Sequence, residues 1–403
     1  MKAAIMGYGT IGSGVYEVLD KNCKSVEKKA GELIEVKYIL DLREFPGSPV
    51  EKLVIHDVEQ IVNDPEIGIV VETMGGTKPA YEFVRRCLLA GKHVVTSNKA
   101  LVAANGTELI RIAAEKNISF LFEASVGGGI PIIRPLVECL GGEEILEISG
   151  ILNGTTNYIL TKMNEEGWSF EEALKRAQEL GYAERNPETD IEGYDTCRKI
   201  AILTAVATGK EVNYEEIPTQ GITKITSMDS SYAAHMGAAI KLFGTSVNKD
   251  GKIYLEVAPV LVDAKDPLYA VTDVFNGILV VGNMLGASMF YGSGAGKLPT
   301  ASAVVGDMIS AVRFGDEPEK IGWSSEKLEV HPAAELSRKY FARFEGSERA
   351  KKEAVAAAFG DVKFVTLEGT DEFAVLTGEM TGGEFDSAAA KVGGLRQKIA
   401  ARL

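Results

Sequence analysis

Cysteine and histidine are scarce in this 403-residue sequence, with four of each. The cysteines, Cys23, Cys87, Cys139 and Cys197, lie far apart, form no Cys-x-x-Cys and have no clustered histidines nearby. That excludes the common zinc frameworks and leaves four reduced, mostly packed thiols, as expected in a cytoplasmic protein. Positive charge is also short: 43 Lys and Arg face 57 Asp and Glu, a formal net charge of -14. Without a basic stripe to displace phosphate counterions, nucleic acid is not an expected partner. A nucleotide cofactor stays open, because backbone amides hold phosphate without net positive charge. No uninterrupted apolar run could span a bilayer, and the four apolar residues after Lys2 are too few for a signal-peptide core. No membrane association is expected. Internal repeats and low-complexity linkers are missing as well.

What is present starts at the N-terminus. Ala3-Ala4-Ile5-Met6 is a short apolar run, followed at once by Gly7-Tyr8-Gly9-Thr10-Ile11-Gly12 and then by Val15, Val18 and Leu19 at helical spacing. Strand, glycine turn and helix form the context that a dinucleotide fingerprint requires. Gly7 permits the tight turn, Gly9 lets backbone approach a pyrophosphate, and Gly12 lets helix and strand pack closely, with free amides at the helix start facing the anion. An ordinary turn of an α/β domain is the bland alternative. A second strand, Ile34–Leu40, ends at Asp41-Leu42-Arg43. Asp41 stands where a ribose-binding carboxylate would favour NAD, whereas Arg43 could grip the 2′-phosphate of NADP; the residues leave both open.

Three more strand-then-turn units follow: Ile67–Glu72 into Thr73-Met74-Gly75-Gly76, Lys92–Thr96 into Ser97-Asn98-Lys99, and Ile118–Phe122 into Glu123–Gly129. A helix over Tyr81–Ala90 carries Phe83, Cys87 and Leu88 on one face. Continuous Val/Ile runs between helices predict buried parallel strands, with ligands beyond their carboxyl ends. The length suggests two or three domains. Residues 1–134 read as a doubly wound, Rossmann-type α/β domain, and residues 135–299 as an α+β substrate domain with strands at Ile145–Leu152, Ile253–Val260 and Gly277–Val281.

The stretch from Gly181 to Lys199 is the richest. Gly181 to Asp190 is polar and contains Asn186-Pro187, so it predicts a loop. Thr189-x-x-Glu192 can form a capping box, with Ile200, Leu203 and Ala207 as the apolar face of the helix beyond. On that helix Asp195 and Lys199 stand at i and i+4. By spacing alone this is a surface ion pair contributing about 0.3–0.5 kcal/mol.

Together with the glycine fingerprint, the segments Thr96-Ser97-Asn98-Lys99-Ala100, Glu123–Pro131, Asn153-Gly154-Thr155-Thr156-Asn157-Tyr158, Gly181–Lys199 and Tyr291–Ala301 resemble, in that order, the homoserine dehydrogenase family. The resemblance covers residues 1 to about 315. It implies NAD(P)-dependent interconversion of L-aspartate 4-semialdehyde and L-homoserine, an amino-acid substrate. Lys199 then matches the family's general acid, Asp195 the carboxylate that orients it and contacts substrate, and Lys99 a second active-site lysine near the nicotinamide. Glu184 matches the residue binding the substrate amino group, with Asp190, Gly154 and Thr155 also on the substrate. Gly7, Gly9, Thr10, Ile11, Gly12, Asp41 or Arg43, Thr73, Ser97, Lys99, Gly181, Gly294 and Gly296 are the implied cofactor contacts. Glu123 and the carbonyls of Val126, Gly128 and Ile130 match a monovalent cation site, usually sodium. A return helix over 300–316 rejoins the first domain. The implied assembly is a homodimer or higher homo-oligomer, in the form without an attached kinase.

The chemistry agrees with these roles, because hydride addition builds negative charge on a carbonyl oxygen that a nearby cation or proton donor stabilises. Two neighbouring lysines would also depress each other's pKa.

Residues 317–403 predict strands at Arg338–Phe344, Val362–Leu367 and Phe373–Thr377 and helices at Glu348–Phe359 and Ser387–Leu403. This βαββα order resembles the small ACT regulatory domain appended to many members of the family. Gly346-Ser347-Glu348-Arg349 departs from that domain's effector-holding turn, so an amino-acid effector such as threonine stands beside a purely dimer-supporting role. Two rival functions stand beside this one. An aspartate-semialdehyde dehydrogenase needs a nucleophilic Cys with a His partner, and none of His56, His93, His235 and His331 has an obvious one. A nucleotide-sensing module has only the C-terminal segment in its favour.

Overall fold

A computed structural model describes residues 1–315 and 317–403. Residue 316, the last of the expected return helix, lies outside the described residues. The chain divides into two compact units. The first comprises Met1–Glu143, Ala201–Tyr214 and Gly292–Leu328; the second comprises Glu144–Ile200, Glu215–Tyr291 and Glu329–Leu403.

In the first unit the apolar run Lys2–Met6 is the middle of a six-stranded sheet. The order is Val54–Ile55, Glu35–Leu40, Lys2–Met6, Ile67–Glu72, His93–Thr96, Phe120–Leu121. The paired strands are parallel throughout. This 3-2-1-4-5-6 order is that of dinucleotide-binding domains, with a switch point between the first and fourth strands. Ile5, Met6, Val70, Val71, Val94 and Val95 are all buried, as expected for strands covered on both faces. Helix Ala80–Leu89 buries Val84, Cys87 and Leu88, while Phe83 stays half-buried. Helix Lys297–Phe314 packs on helix Thr10–Lys21 at Gly14, where a Cβ would stand 2.8 Å from the Lys297 carbonyl.

The second unit is built on one mixed sheet. Its order is Gly286–Ser293, Phe275–Gly282, Ile145–Ile151, Ala238–Lys249, Lys252–Asp263, Leu395–Arg402, Lys339–Glu345, Glu372–Leu376, Lys363–Thr366, with Val330–Pro332 also on Lys252–Asp263. Ala238–Lys249, Gly286–Ser293 and the short Val330–Pro332 are strands that the sequence patterns do not predict, the first two being the long ones. The first carries Lys241 among its apolar residues, and the second is rich in Gly, Ala and Ser, so neither shows a clean strand pattern.

The C-terminal segment needs a further correction. The helix expected over Ser387–Leu403 is instead helix Gly382–Val392 followed by strand Leu395–Arg402. Gly393 and Gly394 both take φ of 70° and end the helix. Leu, Arg, Gln, Lys and Ala then favour helix by local propensity, but pairing on both edges overrides it. The strand runs antiparallel to Lys339–Glu345 and parallel to Lys252–Asp263. The order is therefore βαββαβ rather than βαββα, around a core of Tyr340, Phe344, Phe359, Phe373 and Phe385.

One buried charge in this unit sets a measurable pH effect. Lys241 is 2% exposed and its ammonium donates to the Val271 carbonyl at 2.6 Å. Burial pushes its pKa down to about 8. Because the folded value lies below the unfolded one, the cost of the buried charge is full below pH 8. It is relieved as pH rises toward the unfolded value. Lys241→Met is expected to stabilise the protein at pH 7 by up to roughly 3 kcal/mol, since Asn157 Nδ2 still reaches the Val271 carbonyl. Chemical unfolding at pH 7 and pH 10 checks this; a gain of the same size at both would refute it.

Candidate active site

In the first unit, the glycine turn is shaped as a phosphate cradle. Gly7 takes φ of 93°, a left-handed conformation that a side chain disfavours. A Cβ on Gly12 would lie 1.9 Å from the Gly7 carbonyl, whereas one on Gly9 would meet nothing within 4 Å. The turn is thus closed where helix meets strand and open where a pyrophosphate would approach. Gly9 is the N-cap of helix Thr10–Lys21, without a side-chain cap and without an acidic residue in the first turn. Its first amides remain available to an anion. Thr10 is exposed and Ile11 half-buried.

Two acidic residues organise the strand ends. Asp41 accepts from the Tyr8 amide at 2.7 Å and from Arg43 through its backbone amide, Nε and Nη2, all within 3.0 Å. The guanidinium also donates to the Tyr8 carbonyl at 3.1 Å. Arg43 therefore holds the Asp41 carboxyl far below the usual carboxylate range. Glu72, which the sequence reading treated only as a strand end, is fully buried; it accepts from Thr96 Oγ1 at 2.6 Å and from the Met74 and Gly75 amides. Burial pushes its carboxyl up. The Thr73 hydroxyl donates to the Gly7 carbonyl at 2.7 Å. Asn98 caps helix Lys99–Lys116 and donates to the Gly76 carbonyl, which sets Lys99 on the first turn, half-buried beside Ser97.

The Glu123–Gly129 turn lies in the same unit. A Cβ on Gly128 would stand 2.4 Å from the Gly294 carbonyl, so this turn and the segment before helix Lys297–Phe314 touch backbone to backbone. Gly296 precedes that helix at φ of 121°. The Glu123 carboxylate accepts three backbone amides, from Ile132, Ile133 and Arg134, at 2.6–2.8 Å. Its own amide donates to Asp307, which pairs with Arg134.

In the second unit, two glycines facing each other across the sheet decide the placement of helix Tyr194–Thr208. Gly150 pairs with Gly244, and a Cβ on Gly244 would meet Thr196 and Ile200 at 3.0–3.1 Å. The helix settles onto this gap, and Lys199 reaches the end of strand Ile145–Ile151. Its ammonium donates to the Leu152 carbonyl at 2.6 Å and to Asp195 Oδ2 at 2.7 Å. Lys199 is 8% and Asp195 1% exposed, which overturns the surface-pair reading. Removing one partner of such a buried pair costs about 3–5 kcal/mol.

Asn153, a residue the sequence reading did not single out, completes the cluster. Its Nδ2 donates to Asp195 Oδ2 at 2.9 Å and Asp190 Oδ1 at 2.8 Å, while its Oδ1 caps helix Gly154–Glu165 by accepting the Thr156 amide. An Asn closing a strand and opening a helix is a common cap, so nothing local marks its second role. The Thr155 hydroxyl donates to the Tyr182 carbonyl at 2.6 Å, and a Cβ on Gly154 would press on the Val274 carbonyl. Asp190 is half-buried; Gly181 and Glu184 are exposed on the intervening loop. The predicted capping box does not form: Thr189 lies inside the short helix Glu188–Ile191, and Tyr194–Thr208 begins after Gly193 at φ of 84°.

A family model described as "Homoserine dehydrogenase, NAD binding domain" matches residues 7–123, and one described as "Homoserine dehydrogenase" matches residues 131–309. This chain belongs to the homoserine dehydrogenase family. A homoserine dehydrogenase from Synechocystis is 42% identical over 361 residues, covering 85% of this chain and 82% of the relative. One from Bacillus subtilis is 39% identical over 316 residues, covering 77% and 73%. The crystal structure of a homoserine dehydrogenase from Thiobacillus denitrificans superimposes with a TM-score of 0.90 at 32% identity, over 100% of this chain and 98% of that one. A hyperthermophilic archaeal homoserine dehydrogenase in complex with NADPH gives 0.65 at 27% identity, over 77% and 97%.

As a member of the homoserine dehydrogenase family, the chain is an NAD(P)-dependent oxidoreductase acting on a small-molecule substrate. The thiol-based rival fits poorly on chemistry too. Burial pushes the Cys87 thiol to about 12 and raises that of Cys197, the opposite of an activated nucleophile. Among the described residues, no helix is long and apolar enough to cross a membrane.

Proposed function

We propose that Lys199 is the general acid and base of homoserine dehydrogenation in this chain. The observation that carries this reading is the buried Lys199 ammonium held between the Leu152 carbonyl and Asp195. Bound NAD(P) supplies the hydride chemistry. Lys199 donates a proton to the aldehyde oxygen as negative charge gathers there, and takes the hydroxyl proton from homoserine in the reverse direction. Asp195 keeps the ammonium oriented, and Asn153 ties Asp195 to Asp190 so that both carboxylates hold their positions. Glu184, an exposed carboxylate on the loop after Gly181, receives the substrate ammonium, with Asp190, Gly154 and Thr155 around the substrate.

The amides of Gly9, Thr10, Ile11 and Gly12 take the pyrophosphate over the Gly7 turn, and Thr73, Ser97, Lys99, Gly294 and Gly296 supply further cofactor contacts. NADP is the preferred coenzyme. Asp41 is already engaged by Arg43 and the Tyr8 amide, which weakens it as a ribose acceptor, while the Arg43 side chain is 60% exposed and open to a 2′-phosphate. With L-homoserine at alkaline pH, cofactor reduction is expected with both coenzymes and faster with NADP. Arg43→Ala should cut kcat/KM for NADP by roughly 10–100-fold and that for NAD much less. No turnover with either coenzyme would sink the functional reading, and an equal loss for both would sink the role of Arg43.

A monovalent cation, with sodium as the first choice, fits the carbonyls of Val126, Gly128 and Ile130. The turn's own hydrogen bonds use the carbonyls of Phe122, Glu123 and Gly127. The Glu123 carboxylate fits less well as a direct ligand, since three amides already occupy it. A homodimer is supported by the exposed Met289 and Tyr291 on edge strand Gly286–Ser293, next to Met284 and Leu285. The βαββαβ segment suits an ACT-like module that binds an amino-acid effector or supports the dimer. A cytoplasmic setting suits the four free cysteines.

A further inference from the structure

Three buried side chains of the second unit play no part in the mechanism above. Asn276 is fully buried, and among the described residues neither its Oδ1 nor its Nδ2 has a hydrogen-bond partner. Asn157 Oδ1 and Thr196 Oγ1, on residues 1% and 0% exposed, are in the same position.

The sheet register shows where they face. Gly277 pairs with Ile151 and Ile278 with Gly150, so the next step along the ladder sets Asn276 across from Leu152. Residues directly opposite in an antiparallel pair share a face. Here that face is covered by helix Tyr194–Thr208, because a Cβ on Gly244, the partner of Gly150, would touch Thr196, Ile200 and Leu152. Asn157 Nδ2 donates to the Phe275 carbonyl at 3.1 Å, which puts its amide beside the peptide that leads into Asn276. Thr196 and Asn276 thus lie on the sheet face that carries Leu152, Asn157 stands beside the peptide leading into Asn276, and the Leu152 carbonyl is what Lys199 holds.

A buried carboxamide with both ends unsatisfied is rare and costs stability, whereas an apolar side chain of similar size costs nothing there. Such a group persists where it serves function. We propose that Asn276, Asn157 and Thr196 form a polar chamber behind Lys199 that holds ordered water. Water needs two to four polar partners, and the chamber supplies them. It braces the Leu152 end of the strand and so fixes the Lys199 amine. Asn276 is then a positioning residue, and the inference rests on Lys199 being the proton donor.

The test compares Asn276→Leu, Thr196→Val and Thr196→Ser with the full-length enzyme. Asn276→Leu is expected to keep or raise Tm while kcat falls by about tenfold and KM for homoserine stays within about twofold. Thr196→Val should lower kcat several-fold, and Thr196→Ser, which keeps the hydroxyl, should restore it. If Asn276→Leu does not fold, the Thr196 pair decides the matter alone. A lowered Tm with wild-type kcat in Asn276→Leu makes the amide merely structural and overturns the chamber, as does wild-type kcat in Thr196→Val. Either result beside an inactive Lys199→Ala removes only the chamber, whereas turnover surviving in Lys199→Ala removes the reading on which it rests.

Discussion

Lys199→Ala is expected to lower kcat by roughly a thousandfold, the range in which a positioned proton donor acts, with the Kd for NADPH changed by no more than about threefold. The amine is anchored at 2.6 and 2.7 Å to the Leu152 carbonyl and Asp195 Oδ2, and an alanine there carries no proton to donate. The nucleotide cradle is built from other residues, Gly7 to Gly12 with Thr73, and keeps its hydrogen bonds in the variant. Removing the ammonium also takes from the buried Asp195 carboxylate the cation that neutralises it, while Asn153 still donates to its Oδ2. Tm should therefore fall with activity, by an amount corresponding to about 3–5 kcal/mol. Lys199→Met separates the two effects, because it fills the volume but cannot donate a proton. Stopped assays of homoserine oxidation and fluorescence titration with NADPH measure the two quantities. A parallel loss of turnover and coenzyme affinity would contradict a role confined to proton transfer.

Ending the chain at Gly394 is expected to abolish cooperative folding of the second unit. Strand Leu395–Arg402 is interior: it joins Lys339–Glu345 on one side and Lys252–Asp263 on the other. Its loss strips two ladders of hydrogen bonds and exposes the edges they covered. Arg402 goes with it, and with it the contacts to Glu147, Ser149 and Asp266. A second tie, the buried pair of Arg343 with Asp229 and Glu372, cannot hold the C-terminal segment alone, because Gln397 on the deleted strand also reaches Asp229. Near-UV circular dichroism and the unfolding transition provide the check. A truncated chain with wild-type Tm and full turnover would show that the C-terminal strand is dispensable.

Much of the first unit was legible in the residues. The Gly7–Gly12 turn, the Val/Ile runs and their following turns are local patterns, each with a single economical backbone solution, and the strands pair in parallel as expected. The pairing of Asp195 with Lys199 was legible for the same reason, since residues four apart on a helix must be neighbours. Its burial was not. That depends on Gly150 and Gly244, which are 94 positions apart and meet only through strand pairing. Asn153 looks like a helix cap and is also the link between Asp190 and Asp195, a contact 37 residues away in one direction and 42 in the other. Thr189 failed as a cap because Gly193 gave the chain an alternative place to turn.

By itself, the amino-acid sequence determined the periodicities, the glycine turn and the local charge pair, because these arise within one or two turns of backbone. The tertiary structure alone decided that Arg43 reaches the Tyr8 carbonyl, that Leu395–Arg402 is an interior strand despite its helix-forming residues, and that Gly150 meets Gly244 beneath helix Tyr194–Thr208. Each of these is a long-range pairing, in which hydrogen bonds and burial gained across the sheet outweigh what any local preference contributes.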